Sequence, residues 1–79
     1  MNSKIKAKQE QFYSLFKASG IAPIQSRILA LELQEQNVVN VENVTFDQTK
    51  NRFKIQTNKG LFSITKQNVD LPFVDLHQH

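Results

Sequence analysis

"KNRFKIQTNKGLFSITK", Lys50 to Lys66, is the stretch whose reading decides the fold. In "RFKIQT", residues 52–57, Phe53 and Ile55 alternate with Arg52, Lys54 and Gln56. A two-residue period of this kind belongs to a strand with one buried face and one wet face. "NKG", residues 58–60, is a tight-turn signal, because Gly60 can take positive φ at no steric cost. "LFSITK", residues 61–66, then returns with Phe62 and Ile64 inward and Ser63 and Thr65 outward. The stretch therefore reads as an antiparallel hairpin whose apolar face the rest of the chain must cover.

Immediately upstream, "VVNVENVTFD" is rich in Val, Thr and Phe, and a strand is expected over residues 38–46. Val39 and Val41 share one parity and Val44 and Phe46 the other. One strand can bury both sets only with a bulge or break near Glu42–Asn43. "DQTKN", residues 47–51, reads as the connecting turn. The strands over 38–46, 52–57 and 61–66 thus form a three-stranded antiparallel meander.

Two helices come first. Over about residues 4–19, Phe12, Leu15 and Phe16, with Ile5 further back, share a face at helical spacing, and Gly20 is the natural stop. Lys8 and Gln9 intrude on that face, so the pattern is firm only from Gln9 onward. Pro23 suits the first turn of a second helix over 23–35, with Ile24, Ile28 and Leu31 on one side. Leu29, Leu31 and Leu33 also alternate with Ala30, Glu32 and Gln34, as a strand would, but residue propensity favours helix. The tail, residues 69–79, has no clear period, and Pro72 argues against a central strand. It reads as irregular: its apolar string, Val69, Leu71, Phe73, Val74 and Leu76, either packs across an open sheet edge or hangs free.

Two amphipathic helices and a one-faced sheet satisfy each other as a two-layer α+β domain spanning residues 1–79. The expected core is Phe12, Leu15, Phe16, Ile24, Ile28, Leu31, Val44, Phe46, Phe53, Ile55, Phe62 and Ile64. A chain of 79 residues buries only about 60% of its unfolded surface, so its stability margin is narrow. It contains no cysteine, which accords with a reducing compartment, and it shows neither a secretory signal nor an apolar run long enough for a bilayer. A cytoplasmic location away from membranes is the expectation.

No catalytic constellation is legible. The only histidines are His77 and His79, at the tail's end, and no serine has an evident base by sequence. "HQH" supplies two imidazoles but no recognised metal spacing, and no glycine-rich phosphate loop is present. A binding protein rather than an enzyme is expected, with no cofactor and no metal.

The formal net charge of +3 turns attention back to residues 50–66, which carry five cations and no acid. Alternation sets Arg52, Lys54, Ser63 and Thr65 on the outer face, with Lys50 and Lys59 at the turns and Lys66 beyond. Lys or Arg for charge with hydroxyls for hydrogen bonds is the chemistry that positions phosphates, so nucleic acid is the leading expected partner. The aromatics that would stack bases share the core face instead. The alternative is a protein-binding regulator or inhibitor acting through Leu71, Phe73 and Leu76 of the tail. Membrane-surface binding by Lys4, Lys6, Lys8 and Lys17 around Phe12 and Phe16 is disfavoured, because the core needs those aromatics. A homodimer paired along an open sheet edge is compatible with so small a domain.

Overall fold

In the computed structural model, which describes residues 3–79, two helices precede an antiparallel sheet. Helix α1 spans Ser3–Ala18 and α2 Pro23–Glu35. Strands β1 (Val41–Asp47), β2 (Arg52–Thr57), β3 (Gly60–Thr65) and a short β4 (His77–Gln78) lie in the order β1-β2-β3-β4. Side chains are described from Lys6 onward, so the expectations for Lys4 and Ile5 lie outside the described residues.

Both helices end in the same way. Gly20 at φ 103° lets Ile21 N–H reach the Phe16 carbonyl (3.0 Å) and Gly20 N–H that of Lys17 (3.1 Å). This pair of hydrogen bonds closes a helix when one residue can go left-handed. Asn37 at φ 64° repeats it, with Val38 N–H on the Leu33 carbonyl (3.0 Å) and Asn37 N–H on Gln34 (3.0 Å). The residues that follow these turns, Ile21 and Val38, are delivered into the core.

The hairpin is as its alternation requires. Phe53 faces Ile64 and Ile55 faces Phe62 across β2 and β3, and all four are buried. The β1–β2 register shifts between Val41 and Asn43, which places the extra residue at Glu42 as the parity change demands. Phe12, Phe16, Leu29, Ala30, Leu33, Ile21, Val38 and Val74 cover the sheet's apolar face.

Four expected core residues are instead exposed: Leu15, Ile24 (48%), Leu31 (43%) and Phe46. Ile28 and Val44 pack only at the core's margin. The buried stripe of α2 is Gln25, Ser26, Leu29, Ala30 and Leu33. It is helical in spacing but rotated from the Ile24–Ile28–Leu31 stripe. The rotation is tolerable because the buried polar groups find partners. Ser26 Oγ donates to the Ile21 carbonyl (3.0 Å), and Gln25 Nε2 donates to that of Phe73 (3.2 Å). Phe46 stays partly in water because β1 is the outer strand, although its ring still meets Phe53 at 4.9 Å between centroids.

The tail is less irregular than its sequence suggests. Helix α2 begins after Ala22, which has no side-chain cap, and no acid occupies its first turn. Asp70 supplies what is missing, accepting from Ile24 N–H (3.0 Å) and Gln25 N–H (3.1 Å). A carboxylate at this position satisfies orphan donors and faces the positive end of the helix dipole. Val74 then enters the core, Leu76 packs against it, and β4 pairs with β3 through Phe62–Gln78 and Ser63–His77. Leu71 and Phe73 remain exposed.

Two substitutions test this account by chemical denaturation. Phe53→Ala should cost roughly 3–5 kcal/mol, a fully buried aromatic being lost, while Phe46→Ala should cost distinctly less. Asp70→Ala should cost about 1 kcal/mol, as for loss of a helix cap. Equal losses for the two phenylalanines, or an unchanged midpoint for Asp70→Ala, would contradict the packing described.

Candidate anion-binding face of the sheet

Pairing across the strands determines which side chains share the outer face. With Phe53, Ile55, Phe62 and Ile64 inward, Lys54 lies opposite Ser63, and Arg52 opposite Thr65. Opposed residues of an antiparallel pair project to the same side. Lys50, Arg52, Lys54, Leu61, Ser63 and His79 line one hollow of about 290 Å³ on this face.

Arg52 is the most constrained of them. Its Nε and Nη2 are buried and make no hydrogen bond within the protein. A buried guanidinium nitrogen without an acceptor is costly, and Arg52 leaves two adjacent ones in that state. Lys54 is partly engaged, its Nζ 3.5 Å from Asp47 Oδ2. Asp47 also closes the preceding turn, accepting from Thr49 N–H (3.0 Å) and Lys50 N–H (3.3 Å). Chiefly the Lys50 N–H holds the Asp47 carboxyl below the usual carboxylate range; partial desolvation opposes this, and Lys54 and the Thr49 N–H add to it.

Ser63 is only 2% exposed, although the alternation places it outward. It shares a 2.7 Å hydrogen bond with His79 Nε2. No local pattern in the chain places a serine beside an imidazole. The contact depends on β4, with His79 N–H donating to the Leu61 carbonyl (2.7 Å) to carry the tail along β3. His77 has a separate partner, its Nε2 lying 2.8 Å from Asp75 Oδ1. The two imidazoles thus serve different partners. Among the described residues no three His, Asp or Glu side chains gather as a metal would require.

The other expected site residues are dispersed. Thr65 Oγ1 points to Asp75 Oδ2 (3.4 Å), an acid that the local sequence does not announce. Lys59 sits in the hairpin loop outside the hollow, where its carbonyl accepts from Gln78 Nε2 (3.0 Å). Lys66 lies over the Phe46 ring, 5.2 Å from its centroid, on the side of the sheet opposite Arg52 and Lys54. The hollow therefore unites Lys50, Arg52, Lys54 and Ser63, adds Leu61 and His79, and leaves Lys59, Thr65 and Lys66 apart.

A second concavity has opposite character. Glu32, Glu35 and Gln36 of α2's end meet Phe73, Val74, Asp75 and Leu76 of the tail. Burial, with the Glu35 charge added, raises the Glu32 carboxyl above its ordinary value. None of the described helices is long and apolar enough to cross a membrane.

The two shifted carboxylates predict opposite pH behaviour in thermal melts. Asp47 has a lowered folded pKa, so its ionised form stabilises at neutral pH, and that contribution fades as pH falls through the lowered value. Asp47→Asn should melt below wild type at pH 7, with the gap closing below about pH 4. Glu32 has a raised folded pKa, so ionisation costs stability at neutral pH. Glu32→Gln should melt above wild type at pH 7 and lose that advantage on acidification. A gap of the same size at every pH would exclude these charges as its source. No protein-family model, curated protein or solved structure matches this chain.

Proposed function

We propose that this chain is a non-catalytic binding module whose basic outer sheet face docks nucleic acid through its phosphates. The supporting observation is that Lys50, Arg52, Lys54 and Ser63 line a single hollow. Cations beside a hydroxyl and an imidazole form the donor set that positions a phosphodiester backbone. Phe53 and Phe62 are buried on the other face, so no aromatic platform is offered for unstacked bases. Contact is therefore to the backbone, with little base preference and a strong dependence on salt.

A second reading has its own observation. Leu71 and Phe73 are 45% and 57% exposed while the backbone around them is pinned by Asp70 and Gln25. Apolar side chains held in water on an ordered segment suit a protein partner, and they make this chain a candidate regulator. Leu76 does not belong to that surface, because it packs against the core.

Fluorescence anisotropy with single-stranded DNA, duplex DNA and RNA at several salt concentrations separates the readings. Joint replacement of Arg52, Lys54 and Lys59 by Gln should weaken binding and flatten the log K against log salt slope by about two to three units. Leu71→Ser with Phe73→Ser should leave nucleic-acid binding unchanged. Absence of binding by the wild type at low salt would end the nucleic-acid reading and leave the tail surface as the candidate.

A further inference from the structure

We infer that the outer edge of β1 pairs with the same edge of a second copy of this chain, antiparallel about a two-fold axis at Thr45, so that two sheets continue as one. The inference is independent of the nucleic-acid reading, because it concerns the edge of the sheet and not its basic face.

The two edges of the sheet differ. The tail covers that of β3, pairing Phe62 with Gln78 and Ser63 with His77. β1 is the last strand on the other side, and among the described residues no segment pairs with its outer edge. The ladder decides which groups that edge offers. Just before β2, the Asn51 carbonyl accepts from Lys66 N–H, so the odd-numbered residues of β2 bond toward β3. Just after β2, Asn58 N–H donates to the Asn40 carbonyl, so the even-numbered ones bond toward β1. Asn43, Thr45 and Asp47, opposite Gln56, Lys54 and Arg52, therefore turn their N–H and C=O groups to β2. Val44 and Phe46 turn theirs to the unpaired side. Strand edges are ordinarily blunted by lysine, proline or a bulge. The bulge at Glu42 ends the free run on one side, but the run itself, "NVTFD" from Asn43 to Asp47, holds neither lysine nor proline.

The run is complementary to itself. With Thr45 opposite Thr45 of the second copy, Val44 meets Phe46 and Asn43 meets Asp47, each pair repeated by symmetry. Val44 and Phe46 then use all their outward donors and acceptors. An aromatic beside a β-branched side chain, and hydroxyl beside hydroxyl, are favourable cross-strand pairs. The apolar underside continues across the seam in the row Phe53, Phe46, Val44, Ile55, the last two from the second copy. This covers Phe46, which is 38% exposed on the outermost strand. An axis centred on Val44 would set Phe46 against Glu42, and one centred on Phe46 would set Val44 against Gln48. Charge permits the approach. On the outer face the two copies of Lys54, each opposite its own Thr45, stand three strand spacings apart, about 14 Å, beyond the screening length of physiological salt. The axis is perpendicular to the sheet, so both basic hollows face the same way and stay open.

The chain has no cysteine, so single introduced cysteines report the register. Thr45 and Asn43 are both exposed on the outer face. Thr45→Cys sets its two sulfurs on a pair whose Cα atoms lie about 4.5 Å apart, within disulfide reach. The two copies of Asn43→Cys lie four residues out of step, roughly 14 Å along the strands. Under mild oxidation Thr45→Cys should form a covalent dimer about tenfold or more faster than Asn43→Cys. Sedimentation of the wild type from about 10 μM to about 1 mM should show a reversible dimer. Salt should strengthen it, because both copies carry a formal net charge of +3 and each sets Lys66 over its Phe46 beside the seam. Nucleic-acid binding has the opposite salt dependence. Val44→Pro removes an outward N–H and leaves the β1–β2 ladder intact, and Phe46→Lys sets a cation against Val44 of the second copy. Each should raise the dissociation constant by about tenfold or more, with amide NMR verifying that the variant is folded. In the wild type, exchange of the Val44 and Phe46 amides should slow as concentration rises while that of Thr45 stays constant. Equal crosslinking by the two cysteines, a chain that stays monomeric throughout, or a dimer that both substitutions leave intact overturns the inference. Nucleic-acid binding by a strictly monomeric chain overturns it and leaves the proposed function standing; a β1-paired dimer that binds no nucleic acid does the reverse.

Discussion

A slip of one residue between β2 and β3 would turn Phe53 and Ile55 to water and drive Arg52 and Lys54 into the core. The register of this hairpin is therefore the constraint on which the molecule depends, because the same alternation that builds the core builds the basic face. The register is held at both ends. Thr57 Oγ1 donates to the Gly60 carbonyl (2.9 Å) and accepts from Lys59 N–H (3.0 Å), closing the loop. At the other end Lys66 N–H reaches the Asn51 carbonyl (2.9 Å), with Asn51 itself left-handed at φ 55°. Between these clamps, Phe62 and Ile55 have no exposure at all, so any slipped pairing forfeits their burial.

The tail completes what the hairpin begins. It caps α2 through Asp70, contributes Val74 to the core and runs along β3 as far as His79. Helix capping and site assembly are thus coupled through one segment. The residues that hold α2 in place also carry the imidazole to Ser63. A contact from residue 70 to residues 24 and 25 closes a long loop, whose entropic cost rises only slowly with length. A distant carboxylate is for that reason a workable substitute for the local cap that "IAPIQ" lacks.

What the sequence discloses and what it conceals divide along the range of the interactions. The hairpin, the bulge at Glu42 and the two helices have causes a few residues long, so alternation, parity and propensity display them. The buried face of α2 does not. Ile24, Ile28, Leu29, Leu31 and Leu33 offer apolar atoms around much of the helix, and the choice among faces falls to partners far away in the chain. Gln25 is buried because Phe73 supplies a carbonyl, and Ser26 because Ile21 does. For the candidate site, Arg52, Lys54 and Ser63 are legible as one face from period alone. Leu61's place in the hollow follows from the same parity but is easily passed over as another apolar residue. His79 is not legible, since a two-residue strand after a proline leaves no periodic signal. Nor is the loss of Lys66 and Thr65 to other contacts, which depends on Phe46 and Asp75.

The position of Arg52 runs against stability. A methionine or leucine there would not leave guanidinium nitrogens out of water and unpaired. In a domain with so narrow a margin, a cost of that kind is a large fraction of the whole. Lys54 shows the contrasting arrangement: an exposed ammonium with its own carboxylate, Asp47, and water on its remaining sides. The two cations are one pleat apart on the same strand and differ in this one respect. Lys54 is balanced by the fold itself. Arg52 has no acceptor within the protein for either buried nitrogen, and that deficit sets it apart from the lysines of the same face. The chemical character of the face therefore rests on Arg52 more than on its count of lysines, which are of the kind any wet sheet surface carries.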